Sequence, residues 1–496
     1  MGVRAEIDAA SGTFPEAAYL VLSSRLVPDL DGGYTIATLA RARQMAERGA
    51  DVQLLTLDPA DAVTHAAHRA EFTRRGMLPA GLPLRNLFDE AVAPAGGAAE
   101  WLRRTAASAR PVHGISPNAR DTDAGKPFGG RQAVHSAPAA HYRELTDAEG
   151  RAFLSLPVIT GDPDWHLSTA PVRVHGADGA EVGTLPGFGG LYLAWLRHVV
   201  AVSDGPVVLI CESRQLGELI AGWSDPRVRI LHTIHTMHLE PPYTPDAPLN
   251  PLWTRWLGIA DRFDAVLWPT RAQRDDVVAR FGDGARHLVA PNGIDLPTAT
   301  DDGAREDGAR EDSAREPGLV VSMARLAPGK RIDHSIRAFL AADVDGAVLE
   351  IWGDGPDRDR LAALLAETDA ADRVRLMGAT DDPAAVLRRA TVMVTSTAFE
   401  GQGLSIVEAL ATGCPVISYD VRYGPGDILR GGGGVLVPSG DEQALAAALR
   451  AVLTDHELRG RLAREARTAA SVWSADAAMT ALAYAARMAL AAPPRR

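Results

Sequence analysis

Short apolar runs bounded by turn residues alternate along the chain with stretches of helical periodicity. The first run is AAYLVLS from Ala17, followed by a turn at Asp31-Gly32-Gly33, the helical TIATLARARQMAER with Gly49 just past its end, and the strand DVQLLTL closing at Leu57. A parallel strand pair needs a crossover of about a dozen residues, which this helix supplies, so the chain opens as a βαβ unit. From about Ala60 to Ser203 the pattern changes. Residues 106–138 are rich in Gly, Ala, Pro and Ser, and the alternating runs PVRVH and EVGTL flank a turn at 176–179. That spacing predicts a β-rich insert over about 60–203. Strands of the wound type resume with PVVLICES, RVRILHT, DAVLWPT and HLVAPNG, completing a first Rossmann-like domain over 1–291.

Between Pro297 and Gly318 stands a pentad repeat, DGARE, DGARE, DSARE, with almost nothing apolar to bury, so 292–318 reads as a solvated linker or loop. A second series of strands follows: GLVVSMARL, AVLEIWGDG, RVRLMGA, TVMVTST, PVISYD and GGVLVPS. It predicts a second wound domain over 319–475, with 476–496 a helix that crosses back onto the first. The fold class is therefore α/β, two Rossmann-like domains with a β-rich insertion in the first.

Length supports two domains, because a single core rarely grows to 496 residues. A net charge of −12 argues against a general binder of nucleic-acid backbone. Cys211 and Cys414 lack any metal-ligand or disulfide-framework spacing, which suits a reducing cytoplasm. The opening residues carry no apolar stretch of signal-peptide type, and no uncharged apolar run is long enough to span a bilayer.

In wound domains ligands sit beyond the carboxyl ends of the strands, so strand-end residues carry the candidate chemistry. In STAFEGQGLSIVEALATGCPVIS a strand ending at Ser396 meets Glu400, a Gly401-Gln402-Gly403 turn, and a helix carrying Glu408. The glycines let the N–H groups of Gly403, Leu404 and Ser405 approach an anion, and a carboxylate one turn in can accept from a diol. The same stretch also reads as an ordinary strand–turn–helix with a capping side chain. In MARLAPGKRIDHS, Arg325 ends a strand and Lys330 precedes a helix; both can reach a phosphate, or stand as solvated loop cations. Gly353-Asp-Gly355-Pro is a tight turn and not a full dinucleotide fingerprint, since Arg358 occupies the third glycine position. His232, His235 and His238 follow at spacing three, but Pro241 and Pro242 make helical metal-ligand geometry doubtful; His232 or His235 would face the cleft. Asp-x-Asp triplets at 29/31, 121/123, 162/164, 343/345 and 357/359 are what an acidic chain produces by chance.

In order along the chain, DGGYTIATLA, PNGID, the Arg325/Lys330 pair, GDGP and the Glu400/Glu408 motif with its ATGCPVIS continuation resemble the retaining GT-B glycosyltransferases of the glycogen-synthase-like family four. Within it, YDVRYGPGDILRGGGGVLV and the insert before GGLYLAWLRHVV are similar to the bacterial branch of poly(glycerol-phosphate) α-glucosyltransferases, wall teichoic acid α-GlcNAc transferases and Ser/Thr glycosyltransferases of accessory Sec systems.

The resemblance implies a donor diphosphate held by Arg325 and Lys330, a ribose on Glu408, and Glu400 at the donor sugar. The backbone of Gly401, Gln402, Gly403, Leu404 and Ser405 would bind sugar and phosphate. Gly33 would line the phosphate side, His232 or His235 would assist from the first domain, and Gly353 and Gly378 would belong to the donor side. It further implies transfer of a hexose or N-acetylhexosamine from a UDP-sugar to a polymer or protein hydroxyl with retention, without metal or other cofactor. A non-catalytic recognition subunit, a transferase acting on a small molecule or lipid, and an epimerase or phosphorylase of the same fold are the alternatives. A nicotinamide oxidoreductase would need a complete G-x-G-x-x-G after a strand, which the sequence lacks. The insert, with unpaired strand edges, could support a homo-oligomer.

Overall fold

The computed structural model describes residues 12–30, 32–108, 141–297, 315–368 and 370–496. Most of the Gly/Pro-rich stretch, Asp31 and most of the pentad repeat lie outside them.

The first domain holds β1 (Ala18–Ser23), β2 (Asp51–Thr56), β3 (Leu84–Asn86), the insert strands β4 (Tyr142–Thr146), β5 (Ala152–Pro157), β6 (Val172–His175) and β7 (Glu181–Leu185), then β8 (Val207–Cys211), β9 (Val228–Thr233), β10 (Ala265–Trp268) and β11 (His287–Val289). Seven of these form one parallel sheet in the order β11-β10-β9-β8-β1-β2-β3, and β4 to β7 form a separate antiparallel sheet in sequence order. β1 shows why the central strand is apolar throughout: all six residues are buried. Ala18, Leu20 and Leu22 pack into the core on one face, and Tyr19 and Val21 into the core on the other, the two-residue alternation of a strand covered on both sides.

The expected insert boundary near residue 60 is corrected here. β3 pairs in register with β2, so the parallel sheet continues to Asn86 before the antiparallel unit begins. That unit has no independent core: Phe153, Leu154, Val172 and Val174 join the cluster of the first domain through the helices Glu100–Ser108 and Gly187–Ala201.

The second domain holds β12 (Leu319–Met323), β13 (Val348–Trp352), β14 (Val374–Gly378), β15 (Val392–Thr395), β16 (Val416–Asp420) and β17 (Gly434–Pro438), parallel in the order β14-β13-β12-β15-β16-β17. Both parallel sheets reverse strand order once, at β1/β8 and at β12/β15, and such switch points open a crevice at the carboxyl ends. The chain passes between the domains twice, side by side. Ile294 N–H donates to Trp473 O at 3.1 Å, and Ala475 N–H donates to Ile294 O at 2.7 Å. Beyond the second passage the helix Ala475–Leu490, capped by the Ser474 side chain, lays Ala478, Met479, Leu482, Ala485, Ala486 and Ala489 into the first domain's core.

Candidate functional site

The loops at the two switch points face one another. After β1, the helix Gly33–Glu47 begins, and the position of a Cβ on Gly33 lies 3.8 Å from Leu404 Cδ1, at the start of the second-domain helix Leu404–Ala411. Gly401 closes the gap more tightly. A Cβ there would stand 2.4 Å from His235 O, so only glycine lets the loop after β15 reach the first domain's backbone.

The loop after β12 is fastened to the end of β15. Ser396 Oγ donates to Arg331 O at 2.6 Å and meets Ser335 Oγ at 2.7 Å, while Ala398 N–H donates to Gly329 O at 2.8 Å. That fastening brings Lys330 Nζ to 2.5 Å from Glu400 Oε1, an ion pair still partly open to the cleft. Arg325 is exposed and has no carboxylate partner among the described residues. A paired lysine, a free guanidinium and a half-open carboxylate thus stand at one strand edge, where a diphosphate and sugar hydroxyls could be met together.

The two glutamates have different settings. Only Glu408 lies in the helix Leu404–Ala411, which starts from Gly403 at φ +94°, a left-handed backbone suited to glycine. Burial raises the Glu408 carboxyl above the usual range, and its side chain makes no hydrogen bond to the described residues. A carboxylate so placed can accept two hydroxyls of a diol.

Gln402 has its side chain, as distinct from the backbone expected to meet the donor, engaged elsewhere. It is buried, its Oε1 accepts from Asn292 N–H at 2.8 Å and its Nε2 donates to Asn292 O at 2.9 Å, so its side chain is taken up by the interdomain crossing. Gly353 N–H donates to Gly378 O at 2.7 Å, which joins the ends of β13 and β14; a Cβ on Gly353 would strike Ala324 O, one residue before Arg325.

The three histidines separate sharply. His232 is fully buried within β9; its Nε2 accepts from Trp256 Nε1 at 3.2 Å, and the ring packs on Trp256 and Phe263. Burial drops it to about 3, a neutral core histidine, which removes it from the site. His238 is also buried and stacks on Tyr423 across the domain boundary, with ring centroids 5.8 Å apart. His235 alone reaches the cleft, edge-on to Tyr34 at 5.0 Å.

Sequence reading missed what holds His235. Glu212, directly after β8, is wholly buried and meets His235 Nε2 at 2.5 Å, Thr233 Oγ1 at 2.5 Å and Arg41 Nε at 3.0 Å. Burial alone would raise its pKa, but the Arg41 cation and the bonds from His235 and Thr233 hold it down to about 2. Its signal was a charged residue closing an otherwise apolar strand, PVVLICES, at the switch point.

Two family models match: "Glycosyltransferase Family 4" over residues 158–297 and "Glycosyl transferases group 1" over 305–469, together more than half of the chain. The exopolysaccharide phosphotransferase SCO2592 of Streptomyces coelicolor is 30% identical over 273 residues, 54% of this chain and 27% of that protein. The poly(glycerol-phosphate) alpha-glucosyltransferase of Bacillus subtilis is 28% identical over 277 residues, 55% of this chain and 39% of that protein. The chain thus matches only about a quarter to two fifths of the length of these relatives. Among solved structures, a variant of S. aureus TarM in complex with Fondaparinux, alpha-GlcNAc-glycerol and UDP superposes at a TM-score of 0.70 with 16% identity, covering 95% of this chain and all of that one. The pneumococcal O-GlcNAc transferase GtfA in complex with UDP and GlcNAc gives 0.68 with 16% identity, covering 96% and 99%. At such identities these two likenesses speak for the fold, two facing Rossmann-like domains of GT-B type. With both family models matched in sequence order, the chain belongs to the group 1 glycosyltransferases of the GT-B fold.

Proposed function

We propose that the protein is a retaining glycosyltransferase that moves a hexose or N-acetylhexosamine from a UDP-sugar to a hydroxyl of a polymer or protein acceptor. The observation that carries this reading is the Lys330–Glu400 pair beside Arg325, which has no carboxylate partner among the described residues, at the mouth of a helix where Leu404 and Ser405 N–H have no acceptor among the described residues. The named relatives add weight, since the Bacillus subtilis protein is a glucosyltransferase of a polymer and the pneumococcal structure an O-GlcNAc transferase.

In this reading Arg325 and Lys330 neutralise the diphosphate as the bond from the anomeric carbon to phosphate oxygen breaks. The acceptor oxygen bonds to that carbon from the same face, and its proton passes to the departing phosphate. Charge that grows on the leaving group is stabilised most in the transition state, which raises turnover and not merely affinity. Glu408 takes the ribose diol, Glu400 the donor sugar, and His235 faces that sugar from the first domain. The two cations do the work a divalent metal does elsewhere, so the reaction runs without one. Both cysteines are free and buried, in keeping with a cytoplasmic setting. No helix among the described residues is long and apolar enough to cross a membrane. Self-association would use the insert, whose β4 pairs only with β5 among the described residues.

The test is UDP release across a panel of UDP-sugars in EDTA, with and without a cell-wall polymer fraction, for wild type and Glu400→Gln. Acceptor-dependent release from one donor, lost in the variant, is expected. Release abolished by EDTA and restored by manganese would overturn the metal-free reading, and no release from any nucleotide-sugar, with no donor binding, would overturn the reading as a whole.

A further inference from the structure

We infer that Glu212 is the positioning residue of His235, fixing which ring nitrogen carries the proton and which faces the donor. The inference rests on the proposed transfer only for its effect on turnover; the arrangement itself stands on geometry.

Glu212 follows β8 with its side chain entirely out of solvent, while His235 is only slightly exposed at the cleft. Such a carboxylate persists in a core only when charges and donors surround it. Its Oε1 is 3.0 Å from Arg41 Nε, and its Oε2 receives Thr233 Oγ1–H at 2.5 Å and lies 2.5 Å from His235 Nε2. An ionised carboxylate offers no hydrogen, so His235 Nε2 must carry one. The proton on Nε2 leaves Nδ1 as the nitrogen available to a sugar hydroxyl. Thr233 Oγ1 also lies 3.2 Å from Cys211 O, which sets the hydroxyl between the ends of β8 and β9.

Arg41 extends the chain of contacts. It is buried in the helix Gly33–Glu47, and its Nη2 donates to Asn292 Oδ1 at 2.7 Å, on the same Asn292 whose backbone is clasped by Gln402. His235 is therefore tied to the donor-side loop twice: directly, where Gly401 rests on its carbonyl, and indirectly through Glu212, Arg41, Asn292 and Gln402. A ring held this way keeps one orientation as the donor site fills, which is what a group that must meet one hydroxyl requires.

The substitution that tests this is Glu212→Gln. The Arg41 cation keeps the amide oxygen on its own side, which turns the amide N–H2 toward His235 and forces Nε2 to become an acceptor. Nitrogen-15 spectra of the His235 ring, identified by its loss in His235→Asn and followed over pH until the neutral ring is reached, read the tautomer without any need for transfer activity. We expect Nε2–H in the wild type and Nδ1–H in the variant. If Glu212→Gln does not fold because Arg41 is left uncompensated, Arg41→Met with Glu212→Leu removes both charges together with the acceptor for Nε2–H and is measured in its place, with Nε2–H again lost from its dominant position. An unchanged tautomer in a folded variant overturns the inference. The kinetic arm uses acceptor-dependent UDP release. Glu212→Gln should lower kcat about tenfold or more and change donor KM less than about threefold, and it should add nothing in a His235→Ala background. Additive losses would assign Glu212 a role independent of His235 and sink the positioning role. A changed tautomer with no transfer by the wild type would leave the positioning intact and refute the proposed function instead.

Discussion

Gln402 clasps Asn292 at both ends of its backbone, accepting from the N–H at 2.8 Å and donating to the carbonyl at 2.9 Å. The side chain from the donor loop thereby stands in for a strand partner at the point where the chain leaves the first domain. Removing it in Gln402→Ala would expose two polar backbone groups to a partly dry interface, a loss of about 1–3 kcal/mol. The expected outcome is a lower melting temperature together with weaker UDP-sugar binding, read by calorimetry on one preparation. A variant with unchanged donor affinity would show that the clasp serves stability alone.

Lys330→Ala should lower kcat by about a hundredfold to a thousandfold, the range for loss of one group that stabilises developing charge. Donor binding should weaken much less, because Arg325 and the helix start remain. Single-turnover kinetics with titrated donor separate the two effects. Equal losses in both would place Lys330 in ground-state binding.

Glu408 supplies a pH dependence. Burial raises its carboxyl, so as pH falls it takes up a proton sooner than an exposed glutamate does. A diol donates to the charged form, so UDP-sugar affinity should decline as pH falls through the acid range and recover as pH rises. Glu408→Gln should bind weakly at every pH and lose that slope. Titration calorimetry at several pH values checks it; a wild-type affinity flat down to the point of unfolding would remove Glu408 from the ribose.

His65 gives the opposite sign, in stability. It is buried, its Nδ1 lies 2.7 Å from Asp89 and its Nε2 3.3 Å from Asp58. Burial by itself would lower its pKa, but the two carboxylates outweigh it and lift it from 6.5 to about 9. The stabilisation is complete below the ordinary histidine value and is lost as pH rises through about 9. The melting temperature of His65→Asn should therefore fall several degrees short of wild type in mild acid, with the gap closing above that point. A gap that stays constant across the range would mean the ring contributes by packing only.

The central wound strands were legible because they are apolar runs with both faces buried, as β1 and β12 show, and the outer ones because turn residues bound them. β3 was not: three residues, only one of them buried, leave no periodicity to read. Glu400, Lys330 and Arg325 were found because a turn rich in glycine and a strand end mark them locally. His232 and His235 could not be told apart from spacing, since the difference lies in Trp256 and Phe263, which only the fold brings over the first ring. Glu212 left a local signal, a charge closing the apolar run PVVLICES, but its pairing with His235 and Arg41 and the clasp of the Gln402 side chain on Asn292 were not legible, since 23, 171 and 110 residues separate the members of these pairs along the chain.

The helix Ala475–Leu490 has a consequence for the order in which the protein can be made. Its alanines fill the same core as Tyr19 and Val21, whereas among the described residues the second domain's buried core runs from Leu319 to Trp473, with Ile294 and Leu296 packed against it. During synthesis the second domain can close while the first still lacks part of one face. The half of the molecule that begins to emerge first is thus the half that finishes last, and it waits with an apolar surface that a chaperone would recognise.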